Sequence, residues 1–194
     1  MATDPIDIET FLNLRRQSPP PVVIDLRSSP SFQAGHLAGS RSIPWALIPE
    51  EAIFFAPKSS YLLVSDTESQ GVKQTLDWFE QRNFSEVHYT SASAQELLQA
   101  IKSRPEELVL ADFAPDQWLS QIEQVLELSL RPYLALDEGG LEVERMEQNK
   151  LFVRYTGACK SCGFNRTDTL SLIQRTLSVS LNHDLKVVAA KELN

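Results

Sequence analysis

The sequence predicts two domains of different class: an α/β domain on a small, mostly parallel sheet, then a smaller α+β domain. Three observations carry this. The amino-terminal half alternates continuous apolar runs with segments of helical apolar spacing, the order that builds strand-helix-strand crossovers. From Asp116 onward the order changes to a helix, two alternating runs, a second helix and a last strand. Between them, Pro105-Glu-Glu107 and Phe113-Ala-Pro115 punctuate the chain, which places the boundary near Pro115 and the two domains at 1–114 and 115–194.

In the first domain Val22-Val-Ile-Asp-Leu26, following Pro19-Pro-Pro21, is a strand buried on both faces, and Tyr61-Leu-Leu-Val64 is a second. Between Gln70 and Arg82 the residues Val72, Leu76 and Phe79 recur at helical spacing. Val87-His-Tyr89 and the set Leu97, Leu98, Ile101 repeat the strand-then-helix order, and Leu108-Val-Leu110 reads as the last strand of this domain. In the second domain Asp116 is placed to cap a helix whose face is Leu119, Ile122, Leu126 and Leu130, ending near Arg131-Pro132. Asp137-Glu-Gly-Gly140 supplies a turn. Leu141, Val143 and Arg145 alternate with Glu142, Glu144 and Met146, and Leu151, Val153 and Tyr155 alternate with Phe152 and Arg154, so a β-hairpin follows. Thr167 or Asn165 can cap a second helix with Leu170, Ile173 and Leu177 inside, and Leu185-Lys-Val-Val-Ala189 is a third strand.

Composition excludes several functions. The chain has 194 residues, 42% of them hydrophobic, and a formal charge of -8, with no basic run longer than Arg15-Arg16. Nucleic-acid binding is not expected of such a surface. No apolar run approaches the roughly 18 residues that span a bilayer, and Met1-Ala-Thr-Asp-Pro-Ile-Asp7 is unlike a signal peptide, so the expected location is the cytoplasm.

Both cysteines of the chain, Cys159 and Cys162, lie in one segment, Tyr155-Thr-Gly-Ala-Cys-Lys-Ser-Cys-Gly163. Placed between a strand and a helix amino terminus, they are favoured as thiolates by free N-H groups and the helix dipole. Gly157 and Gly163 bracket the pair and let the backbone bend. Two thiolates are half of a tetrahedral zinc site or half of the ligand set of an iron-sulfur cluster, so a metal needs a second chain. A dithiol that cycles to a disulfide needs none. The spacing alone leaves redox, zinc and iron-sulfur chemistry open. None of the imidazoles His36, His88 and His183 lies close in sequence as a zinc partner, and a hairpin rather than a βαβ unit precedes the pair.

Leu130-Arg-Pro-Tyr-Leu134, Asp137-Glu-Gly-Gly140, Val153-Arg-Tyr-Thr-Gly-Ala-Cys-Lys-Ser-Cys162 and Thr169-Leu170 resemble the carboxy-terminal domain of the NifU family over residues 116–194. The resemblance implies an iron-sulfur cluster carrier or scaffold rather than an enzyme. It makes Cys159 and Cys162 cluster and metal ligands, with the cluster, 4Fe-4S in preference to 2Fe-2S, bridging a homodimer. The implied partners are recipient apo iron-sulfur proteins and a cluster or sulfide donor. Glu138 departs from the family pattern, which passes directly from Asp to the two glycines, and Phe164-Asn-Arg166 is less typical. Arg131 and Arg154 are candidates to offset the charge of such a cluster. The alternative is a thiol-disulfide oxidoreductase using the same Cys159/Cys162 pair, and a third reading is a zinc-bridged dimer.

Val23-Ile-Asp-Leu-Arg27, Phe32, Gly35-His-Leu-Ala-Gly39 and Ser42-Ile-Pro44 resemble rhodanese-like domains over residues 5–112. The resemblance implies that Asp25 and Arg27 brace the loops, that Gly35 and His36 turn the chain, and that a catalytic Cys would open the loop after Tyr61-Leu-Leu-Val64. That loop reads Ser65-Asp-Thr-Glu-Ser-Gln70. Neither a hydroxyl nor a carboxylate carries a sulfane sulfur, and Asp66 and Glu68 would repel an anionic substrate, so no sulfurtransferase activity is expected. Ser65 lacks a visible base, because His88 sits on a separate strand. A binding module is the remaining expectation.

Overall fold

The computed structural model describes residues 4–66, 70–136, 138–158 and 166–190. The chain divides into two compact units, 1–105 and 106–194.

The first unit holds a four-stranded, all-parallel sheet in the order β2-β1-β3-β4. Its strands are β1 (Val22–Asp25), β2 (Arg41–Ser42), β3 (Tyr61–Val64) and β4 (Val87–Thr90), joined through the helices α2 (Ser29–Ala34) and α3 (Gln70–Glu80). Helix α1 (Ile8–Arg15) precedes β1, and α4 (Ala94–Lys102) follows β4. Every residue of β1 and β3 is buried, the outcome their unbroken apolar runs demand when helices cover both faces. Val72 and Phe79 of α3 reach the core as the spacing predicts, and Phe79 meets Tyr61, Phe55 and Phe84 at ring separations of 5.0 to 5.3 Å. Helix α4 opens on a reciprocal cap in which Ser93 Oγ accepts from Glu96 N-H while the Glu96 carboxylate accepts from Ser93 N-H.

The second unit is α+β. A three-stranded sheet runs β5-β6-β7, with β5 (Gly139–Glu147) and β6 (Lys150–Gly157) antiparallel and β7 (Lys186–Ala189) parallel to β6. Its apolar face packs on α5 (Trp118–Val125), α6 (Arg131–Leu136) and α7 (Arg166–Ser180) through Leu141, Leu151, Val153, Ile122, Leu126, Ile173 and Leu177.

Several expectations need correction. Leu108-Val-Leu110 is not a strand of the first unit: Leu110 is fully buried in the second core, its N-H bonds Leu181 O at 2.9 Å, and a 3-10 turn starts there. The boundary accordingly moves from Pro115 to the Pro105–Glu106 link. Asp116 lies inside a 3-10 turn, Pro115–Gln117, whose opening N-H at Ala114 is met by Gln117, so it is no cap. Leu119 is exposed, and Val125 fills the core beside Ile122 and Leu126. The helix does not stop at Arg131-Pro132. A π-helical turn, Leu126–Leu130, carries it into α6, the widened spacing accommodating a proline that has no N-H for the carbonyl four residues back.

Another correction is in the hairpin. Its register shifts between Val143 and Arg145, a bulge that reverses the alternation beyond it. Met146 then packs against the core, while Arg145 turns outward and lies 3.8 Å over the Phe152 ring. A strict alternation would have placed a guanidinium in an apolar layer, at a cost of several kcal/mol. Farther on, α7 begins at Arg166, so Thr167 lies within the helix rather than before it, and Asn165 is outside the described residues.

Candidate functional site: the end of the hairpin in the second unit

The two strands that lead to the cysteine segment approach as closely as backbones can. Gly139 pairs with Gly157, and Gly140 with Thr156, at the open end of the hairpin. Gly157 has φ +60, and a Cβ there would stand 2.2 Å from Glu138 O. A Cβ on Gly140 would stand 2.3 Å from Thr156 Oγ1. Glu138 itself adopts φ 54, so the residue that departs from the family pattern makes the left-handed step into β5. Its carbonyl accepts the N-H of Ala158 at 2.9 Å. The residue immediately before Cys159 is therefore tied to the turn that precedes β5.

Cys159 and Cys162 themselves lie outside the described residues, as does Asp137. The described elements on either side are β6, ending at Gly157, and α7, opening at Arg166, which agrees with a thiol pair between a strand end and a helix amino terminus. Among the described residues no group of three or more His, Cys, Asp or Glu side chains could hold a metal ion. The two thiols of the chain, Cys159 and Cys162, number half of a four-thiolate set.

Two arginines of the second unit are held in ion pairs. Arg131 is paired with Glu127 and Glu123 and donates to Leu141 O. Burial works to lower its pKa, but the two carboxylates outweigh that and hold it above the ordinary value. Arg154 pairs with Glu142 at 2.6 Å and with Glu144 at 3.4 Å. Both arginines, candidates from sequence for offsetting a cluster's charge, are instead in ion pairs on the outside of their own unit. His183 donates from Nε2 to Asn149 Oδ1, 3.2 Å away, and meets Trp118 edge-on.

In the first unit the carboxyl ends of β1 and β3 carry a polar knot. Asp25, almost fully buried, takes two hydrogen bonds from Arg27 Nε and Nη2, and Nη2 also donates to Gly35 O at 2.7 Å. Arg27 Nη1 reaches Asp66 at 3.5 Å. The hydrogen bond to Asp25 leads the causes that raise Arg27 above its ordinary pKa. The contact between Asp25 and Arg27 is the one the rhodanese-like resemblance implies, whereas Gly35 O and Asp66 as further partners of Arg27 were not foreseen from the sequence. His36 turns back on its own helix, bonding Phe32 O at 2.9 Å and stacking on the Phe32 ring, and His88 faces Glu86 at 3.7 Å. Through Asp25 and Asp66, Arg27 thus links the carboxyl ends of β1 and β3.

The second unit is thus an α+β module in which the cysteine segment follows β6 and precedes α7 in the sequence. Residues 122–188 match the family described as NifU-like domain, a span that contains both cysteines and most of the second unit. A 63-residue stretch is 32% identical to the "NifU-like scaffold protein" of Plasmodium falciparum (isolate 3D7), covering 32% of this chain and 25% of that protein. The chain spans about a quarter of the length of the curated relative it matches. Among solved structures, SSP1007 from Staphylococcus saprophyticus subsp. saprophyticus is similar at 18% identity and a TM-score of 0.42, covering 49% of this chain and 93% of that one. Among the described residues no helix is long and apolar enough to cross a membrane.

Proposed function

We propose that the protein is an iron-sulfur cluster scaffold or carrier. The observation that carries this reading is the NifU-like match over residues 122–188, because it encloses Cys159 and Cys162, the chain's only cysteines. The likeness of that region to a protein named as a scaffold supports the same reading. The cluster is cargo: it arrives from a donor, is held between two chains by four thiolates, and leaves when thiolates of a recipient apoprotein replace them one at a time. A 4Fe-4S cluster is the form proposed. Each Cys supplies a deprotonated sulfur, and the close hairpin end at Gly157 positions the segment that bears them. The first unit, whose sequence resembles rhodanese-like domains but has no cysteine, serves as a recognition module for donor or recipient, and the chain acts in the cytoplasm.

The test is anaerobic reconstitution of the full chain with ferrous iron and sulfide, followed by metal and sulfide counts, visible absorption and sedimentation. About four iron and four sulfide per two chains are expected, with the visible band lost in Cys162→Ala. A Cys162→Ala chain that retained a full bridged cluster would sink the proposal. Zinc in place of iron in anaerobically purified protein, or reversible thiol oxidation with no iron uptake, would replace it with a structural or redox role.

A further inference from the structure

The first unit carries a cleft between the segment that follows β2 and helix α3. Trp45, Ile48 and Pro49 line one wall, Gln74 and Trp78 the other, and the cleft has a volume of about 220 Å³. Sites for drug-sized ligands run from roughly 300 to 1,000 Å³, so this one has room for one or two side-chain rings and not for a cofactor. Two indoles give it shape. The backbone N-H of Trp45 bonds Leu26 O at 3.1 Å, and the Trp45 ring lies on Gly71 of α3, where a Cβ would stand 2.5 Å from Trp45 Cγ. The missing side chain lets a ring that is 44% exposed lie flat on bare helix backbone. Trp78 is only 9% exposed, packs edge-on against Phe55 and Phe79, and has the Arg82 guanidinium 4.2 Å over its ring. Its Nε1-H is buried and meets no acceptor among the described residues. A buried donor without an acceptor is destabilising until something supplies one.

Three features select what enters. Pyrrolidine rings are compact and apolar, fit the space, and dock against aromatic walls. A polyproline II chain has no internal hydrogen bonds, so its carbonyls are available to an indole N-H that lacks an acceptor, and its stiffness leaves little entropy to lose on binding. Charge sets the flanks. Glu50 and Glu51 follow Pro49 directly, enter no ion pair among the described residues, and no Lys or Arg occurs from 42 to 57. On α3, Lys73 and Asp77 stand at i and i+4 and offset one another, and Arg82 sits on Trp78, so the uncompensated carboxylates belong to the Pro49 side. A cation beside the prolines complements them.

We propose that this cleft takes a proline-rich segment, flanked by Lys or Arg, of a partner protein. This rests on the reading of the first unit as a recognition module and gives that module its ligand class. The prolines sit between Trp45 and Trp78, the flanking cation meets Glu50 and Glu51, and a segment carbonyl accepts from Trp78 Nε1-H once Gln74, an exposed rim side chain, moves aside.

The experiment titrates the full chain into a fluorescein-labelled peptide, Arg-Pro-Leu-Pro-Pro-Leu-Pro-Arg, and reads label anisotropy together with tryptophan emission. Its comparators are the same peptide with alanine at every proline, and that alanine peptide with one phenylalanine. Saturable binding of the proline peptide is expected, about tenfold or more weakened by Trp45→Ala. Gly71→Ala keeps every side chain of the cleft but pushes Trp45 off its seat, and should weaken binding comparably. Trp78→Phe, which removes only the indole donor and part of the ring, should weaken it about threefold or more. Glu50→Gln/Glu51→Gln should weaken it about threefold at low salt and leave no difference at high salt. Circular dichroism checks that each variant is folded. Equal binding of the alanine peptide, or wild-type binding by both Trp45→Ala and Gly71→Ala, overturns the proposal. Tighter binding of the phenylalanine peptide overturns proline as the ligand. Binding of none of the peptides overturns the cleft and leaves recognition to another surface of the unit. The recognition reading is tested apart, with an apo 4Fe-4S acceptor protein carrying the proline peptide as a tag. Cluster transfer from the loaded chain that is no faster to the tagged acceptor than to the untagged one, with the peptide bound as expected, overturns that reading and leaves the ligand class standing.

Discussion

Replacing Gly157 by Ala should damage the second unit far more than the same change at Gly140, although both glycines lack room for a methyl group. At Gly157 the obstacle is backbone: φ is +60 and the new Cβ would lie 2.2 Å from Glu138 O. An alanine in the left-handed region costs about 1 to 2 kcal/mol. Relieving the clash also separates Glu138 from Ala158 and gives up their hydrogen bond, about 1 kcal/mol more. The total is about 2 to 3 kcal/mol. At Gly140 the obstacle is one side-chain atom, Thr156 Oγ1 at 2.3 Å, which can leave by rotating about χ1 for about 1 kcal/mol. Gaining a Cβ in a strand returns about 0.5 to 1 kcal/mol, so Gly140→Ala should be nearly neutral. Adding Thr156→Ala to Gly140→Ala should recover what little is lost. The assay is urea titration of full-length variants with pulsed hydrogen exchange read on peptides covering 139–157, which follows the second unit apart from the first. Equal losses at the two glycines, or a loss below about 1 kcal/mol at Gly157, would refute the backbone argument. Because Ala158 precedes Cys159, Gly157→Ala is further expected to lower iron retention on reconstitution.

Leu110→Ala should cost about 2 to 5 kcal/mol, and hydrogen exchange should speed up in 106–190 while 4–105 is unchanged, because Leu110 is fully buried in the second core. Acid should weaken the start of α4. Backbone and side-chain hydrogen bonds from Ser93 lower the pKa of Glu96 below its ordinary 4.5, so its contribution is complete above that value and is lost as pH falls through the lowered one. Exchange rates of the α4 amides, measured down the acid range, should rise there in wild type and show less pH dependence in Glu96→Gln.

The sheet strands of the first unit were legible because β1 and β3 are apolar at every position but Asp25, a pattern only a doubly covered strand needs. The Asp25 exception was legible only through the rhodanese-like resemblance, which implies its contact with Arg27. Leu108-Val-Leu110 was misassigned for a simple reason: an apolar run announces burial without saying in which core. The bulge after Val143 left no local signal, since either phase of the alternation ends with one residue inward, and it is the penalty for burying Arg145 that selects Met146. Pro132 reads as a stop, but a π turn upstream lets the helix pass it.

For the candidate site, the cysteine pair came from the sequence alone, as a count of sulfurs in a recognisable neighbourhood. Residue identity suffices there because only thiolates offer that chemistry. What the tertiary structure decided is everything that depends on residues distant in the chain. It brought Glu138 against Ala158, engaged Arg131 and Arg154 in ion pairs, set Asp66 beside Arg27, and laid Trp45 on Gly71. Chemistry is written into a side chain, whereas burial and partnership arise only when the folded backbone determines which surfaces meet.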